Sequence, residues 1–356
     1  MRILSRYIVR TVLQPTLMVL FLLVGLRFLF AFLDELGDVG QAEYTAGKAL
    51  IYTVLYVPLW LSELLPMATL IGTVMGLGVL SSSSELTAMR AAAISPVQIG
   101  MATIRAAALL IVAGIVLSEM VVPKTSTWAQ DLRLNAIAPN RLYRTAGYGV
   151  WLRSTNDYVS FRSVLIDQTA NDVHIFSFAK PQQLTDTYFA ARAEYKGDGK
   201  WRLVAGIHSR FDGEHVSSEP FEEMFWQSEL APEHLQVLQS RPQDLSGAGL
   251  WSYSKYLASN GLNAGQYDLE FWRKVFQPLN LFAMMLAGIA SVFGPLRSVT
   301  VSARVLAGVA VGLSFHYLGQ IFGPVSLVYQ LPPVLGALLP PAVFLAGALW
   351  LLRRAR

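Results

Sequence analysis

Residues 11–33 read TVLQPTLMVLFLLVGLRFLFAFL, a stretch with a single charge, Arg27. At 1.5 Å per residue it reaches roughly 33 Å as a helix, enough to cross the roughly 30 Å hydrocarbon core of a bilayer. Arg2, Arg6 and Arg10 precede it, as they would a signal peptide. It is too long for a signal core, however, and it ends in Asp34-Glu35-Leu36-Gly37-Asp38 instead of a small-residue cleavage site, so it reads as a retained span. Further apolar windows cover residues 49–80, 98–122, 275–296, 302–322 and 334–352. The longest of these leaves room for tilt or for a short interfacial helix before Pro58. Pro58, Pro66 and Pro278 are expected to kink their helices, and Gly72, Gly76 and Gly78 to let helices pack closely.

Composition agrees. Of 356 residues, 53% are hydrophobic and 15% charged, against roughly 25% charged in an average soluble domain. There is no cysteine, which excludes a disulfide scaffold, a thiol nucleophile and a cysteine zinc site. Arg2, Arg6, Arg10, Arg90, Arg105, Arg297, Arg304, Arg353, Arg354 and Arg356 fall on one side of the spans with Glu85 as the only acid. Asp34, Glu35, Asp38 and Glu43 fall on the other side with Lys48. Arginine and lysine accumulate on the cytoplasmic side, so both termini are expected there. Residues 124–266 hold 14 basic and 15 acidic residues and read as an ordinary soluble domain on the outer side, which gives no indication of nucleic-acid binding.

That outer domain reads as β. Residues 148–153, 158–165, 173–178, 187–195 and 201–210 are β-branched or aromatic runs separated by turn signals, and Lys196-Gly197-Asp198-Gly199-Lys200 is a hairpin signal. The spacing suits a sandwich or open barrel, with helical links over residues 124–138 and 251–274. The fold class is therefore an α-helical membrane protein of six transmembrane helices with an all-β, jellyroll-like domain inserted between helices three and four. Residues 1–123 hold the first three helices, 124–266 the β domain and 267–356 the last three helices.

No catalytic or cofactor motif is visible. Gly40 and Gly47 are too far apart for a phosphate loop, and Ala49 stands where a hydroxyl is required. His174, His208, His215, His234 and His316 have no metal-like spacing, and His316 reads as a structural histidine within a span. The informative stretch is Ser81-Ser82-Ser83-Ser84-Glu85-Leu86-Thr87-Ala88-Met89-Arg90-Ala91-Ala92-Ala93-Ile94-Ser95-Pro96-Val97-Gln98. Ser82 and Glu85 have capping-box spacing, and so do Ser95 and Gln98, with Pro96 at the favoured first helical position. A short helix near 82–95 is expected across the cytoplasmic surface, with Ala88, Ala91 and Ala92 allowing close approach of a partner. Glu85 either caps that helix or docks the partner.

This stretch resembles the coupling helix of the LptF/LptG family of lipopolysaccharide-export permeases. The runs Phe293-Gly294-Pro295-Leu296-Arg297-Ser298, Gln320-Ile321-Phe322-Gly323-Pro324 and Leu331 to Pro340 are similar to the LptG branch of that family. The resemblance implies a half-transporter in the inner membrane that pairs with a sibling permease, LptF, above two copies of the ATPase LptB, which carry the ATP and magnesium. It further implies that Glu85 contacts the ATPase with Leu86, Met89 and Arg90 beside it, and that a periplasmic jellyroll adjoins LptC and the LptA bridge. Lipopolysaccharide then enters from the outer leaflet.

For the lipid, the resemblance points to Arg133 and to the gate aromatics Phe28, Phe32, Phe315 and Phe322, along with Phe21 and Tyr317. The family's outer lysines of span one are missing. Arg27, one turn below the family's basic position at Ala31, is the expected substitute, unless it forms an ion pair with Glu63 or Glu119. Two other functions fit the residues alone: an ion-gradient transporter, which needs paired ionisable groups or broken helices at mid-membrane, and a membrane-anchored assembly factor.

Overall fold

The computed structural model describes residues 2–94, 96–137, 150–154, 157–164, 169–180, 183–212, 215–228, 230, 241–293 and 300–354. Ser95, Tyr148, Gly149, Leu165, His234, Gly294 to Ser298 and Arg356 lie outside the described residues, as do the side chains of Arg2 and Arg90. The helices are α1 (Arg2–Glu35), α2 (Ala46–Leu55), α3 (Val57–Ser82), α4 (Glu85–Ala91), α5 (Pro96–Val116), α6 (Val122–Ile137), α7 (Gly247–Ser259), α8 (Gly265–Val275), α9 (Gln277–Phe293), α10 (Val301–Val328) and α11 (Pro333–Arg354). Between α6 and α7 run strands β1 (Val150–Ser154), β2 (Asp157–Val164), β3 (Thr169–Lys180), β4 (Gln183–Tyr195), β5 (Lys200–Asp212) and β6 (His215–Gln227).

Among the described residues, five helical stretches are long and apolar enough to cross a membrane, and a sixth span forms if α8 and α9, bent by 51°, are taken together. The long second window divides before Pro58 into α2 and α3, while Pro66 is accommodated inside α3. Residues 98–137 form one helical rod that passes through a wide π-turn at Leu117–Val121. Pro123 explains the turn, because it has no N–H to offer the carbonyl four residues back. The hydroxyls of Thr16, Thr69, Thr73 and Thr103 donate to the carbonyl of the residue four earlier in their own helices (2.6–3.1 Å). A polar side chain is thereby satisfied where no water is available.

The centre of the membrane half is α3. Its apolar window is 83% buried, against 22% for α1 and 17% for α10, both of which lean on it with most of their surface outward. Gly72 and Gly76 lie against α1 so closely that a Cβ on either would overlap the backbone at Thr16 or Thr11. At Gly78 the carbonyl accepts from the Arg304 guanidinium (2.9 Å). Arg304, counted among the rim arginines from the sequence, is buried there and ties α10 to the C-terminal end of α3, where a cation meets the negative pole of the helix.

The six strands form a single antiparallel sheet in sequence order, so the β domain is a meander with no strand-order crossover among the described residues. Its covered face carries Val159, Phe161, Ile175, Trp201 and Leu203, capped by Tyr253, Tyr256 and Leu257 of α7. The hairpin at Lys196–Lys200 forms as expected, with Gly197, Asp198 and Gly199 all at positive φ. β6, rich in glutamate and carrying Pro220, was not expected. It is an edge strand, where a proline costs no ladder bond on its open side and charge deters further pairing.

Gly76→Ala and Gly72→Ala should each destabilise the protein by about 1–3 kcal/mol, the usual cost of overpacking. Thermal unfolding in detergent measures this, with Gly25→Ala, whose Cβ would meet nothing within 4 Å, as the unaffected control.

Candidate functional site

α4 hangs between α3 and α5 as a compact unit. Ser82 is still part of α3 and its hydroxyl donates back to Val79 (2.9 Å), so the expected Ser82–Glu85 capping box does not form. The turn is made one residue before α4, at Ser84, with φ 61°. At the far end Ala93, φ 62°, lets the Ile94 N–H reach the Met89 carbonyl (3.0 Å), a Schellman closure with alanine where glycine is usual.

The Glu85 carboxylate is oriented from two sides. The Tyr7 hydroxyl of α1 donates to Oε2 (2.8 Å) and the Ser83 hydroxyl to Oε1 (2.9 Å). A carboxylate has about four acceptor directions, so capacity for a further donor is left. Leu86 and Met89 are 6% and 9% exposed and pack into the membrane core. These two expected neighbours of the Glu85 contact therefore anchor α4 to its own bundle. The open face consists of Thr87, Ala88, Ala91 and Ala92.

The basic residues expected to meet a lipid headgroup are paired within the chain, and for Arg27 this is the ion pair with Glu63 that the sequence offered as its alternative. Arg27 contacts Glu63 of α3 (3.2 Å) and sits over the Trp60 ring. Arg133 on α6 bonds Glu35 (2.7 Å) and Asp38, and the Tyr44 hydroxyl donates to the same Glu35 (2.8 Å). Burial pushes the Tyr44 hydroxyl up in pKa, with the bond to Glu35 adding to it. Arg133 therefore clamps the C-terminal end of α1 to α6, and its two acids outnumber its charge. Phe28 and Phe32 stack on each other (6.3 Å) and are half-buried. Phe315 is buried edge-on against Phe344. Phe322, like Phe21 and Tyr317, presents its ring outward. α1 and α10 flank α3, so the predicted aromatics fall into separate sets, around Arg27 and around Phe315.

Sequence reasoning missed a polar cavity of about 310 Å³ behind α10, at the α8–α9 bend. Glu63, Arg273, Lys274, Gln277 and His316 are among its walls. Each charge there has a partner. Arg273 bonds Glu270 (2.6 Å) and the Gly319 carbonyl (2.8 Å); Lys274 donates to the Ser118 carbonyl (2.7 Å) and lies 3.5 Å from Glu119. Glu119 also accepts from the Gly247 N–H (2.8 Å), and Gln277 donates to Ser62 (2.8 Å). His316 has Gln320 at 3.1 Å, in keeping with a structural histidine. The signal was available in Glu270, Arg273 and Lys274, charges immediately before an apolar run. Paired ions and a bent helix are also what an ion-coupled carrier would need, but here they staple the π-turn, α8 and α10 together. No cluster of three or more potential metal ligands occurs among the described residues.

Outside the membrane, Asp244 is 3% exposed where the chain returns from the β domain. Its Oδ2 accepts from Gln130 of α6 (2.9 Å) and Tyr56 (3.4 Å), while Oδ1 has no hydrogen-bond partner among the described residues. Burial pushes its carboxyl up to about 6, against the pull of Arg241 and of the Tyr56 and Gln130 bonds.

In an unfolded chain the Asp244 carboxyl titrates near 3.9, so between about pH 4 and 6 the native state holds a proton that the unfolded state has lost. Its contribution to stability falls as pH rises through that window and is level above it. Asp244→Asn should gain on the unsubstituted protein from pH 4 to pH 7, by up to about 2–3 kcal/mol, read from thermal midpoints of both across that range.

Residues 6–354 match the family described as the lipopolysaccharide export system permease LptF/LptG. The chain is 37% identical over 354 residues to the lipopolysaccharide export system permease protein LptG of Escherichia coli (strain K12), covering 99% of this chain and 98% of the relative. It is 34% identical to the protein of the same name from Haemophilus influenzae, covering 99% of each.

Proposed function

Because the chain belongs to the LptF/LptG family of lipopolysaccharide export permeases, we propose that it is the LptG-type half of an ATP-driven transporter that lifts lipopolysaccharide out of the outer leaflet of the inner membrane. As a multi-pass permease component it resides in the inner membrane. In this reading both termini are cytoplasmic, the β domain is periplasmic, and a sibling permease, LptF, completes the cavity. Two copies of LptB bind below and carry the ATP and its magnesium, while LptC and the LptA bridge receive the lipid through the β domain.

The observation that carries the proposal is the construction of α4. It presents an oriented glutamate and a small-residue face outward, while Leu86 and Met89 fix it to the helix bundle. A push from the ATPase therefore reaches α3, and through α3 the two poorly buried helices α1 and α10. Those two helices are suited to be the moving walls, because most of their surface is free to exchange lipid for a sibling chain. The lipid chains meet outward rings such as Phe21 and Phe322. Arg27 and Arg133 shape the wall through Glu63, Glu35 and Asp38 and do not stand as free cations.

Loss of a charged hydrogen-bond partner is worth about 1.5–3 kcal/mol, so Glu85→Ala should cut recovery of the ATPase with the permease pair by roughly tenfold or more. Lipopolysaccharide release from reconstituted vesicles should fall with it while membrane insertion is retained. Unchanged ATPase recovery and transport would remove Glu85 from the coupling site.

A further inference from the structure

Tyr7 stands on the first turns of α1, and its backbone is fixed by the contact of α1 with α3. Four residues on, the Thr11 hydroxyl donates to the Tyr7 carbonyl (2.9 Å), and the backbone at Thr11 is where Gly76 of α3 meets α1. Tyr7 is therefore held one helical turn, about 6 Å along the axis, from the tightest point of that seam. From there the phenol crosses to α4, 78 residues further along the chain, and donates to Glu85 Oε2 (2.8 Å). The second bond to Glu85 comes from Ser83, in the turn that joins α3 to α4. Of the two, only the Tyr7 bond joins Glu85 to another long helix.

The residue type matters as much as the position. Both groups on Glu85 are neutral hydroxyls, although Arg6 and Arg10 stand exposed before and after Tyr7 in the chain. An arginine or lysine in place of Tyr7 would bond the carboxylate more strongly and would offset its charge. A phenol orients the carboxylate and leaves that charge for a cation on a partner. It is also stiff, with fewer side-chain torsions than lysine, so a shift of Glu85 moves the ring and the helix behind it instead of being absorbed in a flexible stem. With 44% of its surface exposed, Tyr7 is not a core residue whose ring the packing of α1 requires. The other outward helix, α10, is tied to the Gly78 carbonyl through Arg304 and so is reached by way of α3. α1 has two links, the glycine seam with α3 and the Tyr7 bond to α4.

We propose that Tyr7 is a positioning residue of the coupling step: its hydroxyl links Glu85 to α1, so that displacement of α4 by the ATPase moves α1 directly as well as by way of α3. This role rests on the ATPase contact proposed above for Glu85. Because α1 carries outward rings such as Phe21, a complex without the link still hydrolyses ATP but moves less lipid for each ATP spent.

The test uses the assembled permease and ATPase complex in vesicles and reads two quantities: ATPase recovered with the permease pair, and lipopolysaccharide released per ATP hydrolysed. Tyr7→Phe keeps the ring and removes the bond between α1 and α4, while Ser83→Ala removes the bond that stays within the α3–α4 turn. Each variant loses one of the two hydrogen bonds that orient Glu85, so each should lower ATPase recovery by a similar factor, about two- to tenfold. Both side chains are exposed, so neither change should move the thermal midpoint. Only Tyr7→Phe should also lower the lipid released per ATP, by about twofold or more. An unchanged ratio in Tyr7→Phe, or an equal fall in Ser83→Ala, would overturn the role given to Tyr7. Glu85→Ala, measured beside them, separates the two levels. Unchanged ATPase recovery there removes the contact on which the role rests, whereas a loss there with an unchanged ratio in Tyr7→Phe removes the role alone.

Discussion

The membrane half depends on the contact between the Gly72 and Gly76 turns of α3 and the backbone of α1 at Thr11 to Thr16. Inside a bilayer there is no hydrophobic gain in moving an apolar side chain from lipid to protein, so helices stay together through close backbone approach and polar ties. Two glycines four residues apart supply the first of these, and the hydroxyl of Thr16, turned onto its own helix, leaves no polar group stranded in the seam. The contact holds α1 by one edge only. The other side of α1, with Phe21, Leu22 and Phe30 outward, stays open to lipid or to another chain.

Five cations of the membrane half are each bonded to an element distant in sequence, and so serve as clamps. Arg27 joins α1 to α3, Arg133 joins α6 to the end of α1, and Arg273 joins α8 to α10. Lys274 joins α8 to the π-turn that Pro123 imposes, and Arg304 joins α10 to α3. Pairing reduces the cost of keeping ions near lipid, and the same groups would be costly if a helix moved and left its partner behind. Any motion of α1 or α10 would have to preserve these pairs or exchange them together.

Much of this was legible from residue pattern. The apolar windows located the spans, Pro58 the division of α2 from α3, and the Lys196–Lys200 turn a β-hairpin, because each depends on local chemistry over a few residues. Glu85 was legible as an unusual acid on a basic rim. Arg27 with Glu63 was legible as one of two pairings, because few opposite charges lie within the spans; Arg133 with Glu35 and Asp38 and Arg304 with Gly78 were not, since they are set by contacts across the fold. The Ser82–Glu85 spacing misled because α3 continues through Ser82, and a capping residue needs an extended backbone that a helix interior denies it. β6 was hidden by the glutamates and proline that make it a safe edge, since the features that suppress further pairing also remove the alternation that announces a strand.

The ends of α4 show how a seven-residue helix can transmit force. Alone, so short a helix would melt, since its nucleation cost outweighs the few bonds it makes. Here it is bounded by Ser84 and Ala93, two non-glycine residues in the left-handed region, a conformation that costs roughly 1–2 kcal/mol each and persists only where the surroundings fix it. The fixing groups are Leu86 and Met89 buried below, Ile94 packed at the exit, and Glu85 held by Tyr7 from α1. Because glycine is avoided at both turns, the loop has few other conformations to yield into when pushed. The displacement then passes into α3 and α5 on either side, and through Tyr7 into α1, which joins the helix proposed to meet the ATPase directly to a helix proposed to wall the lipid.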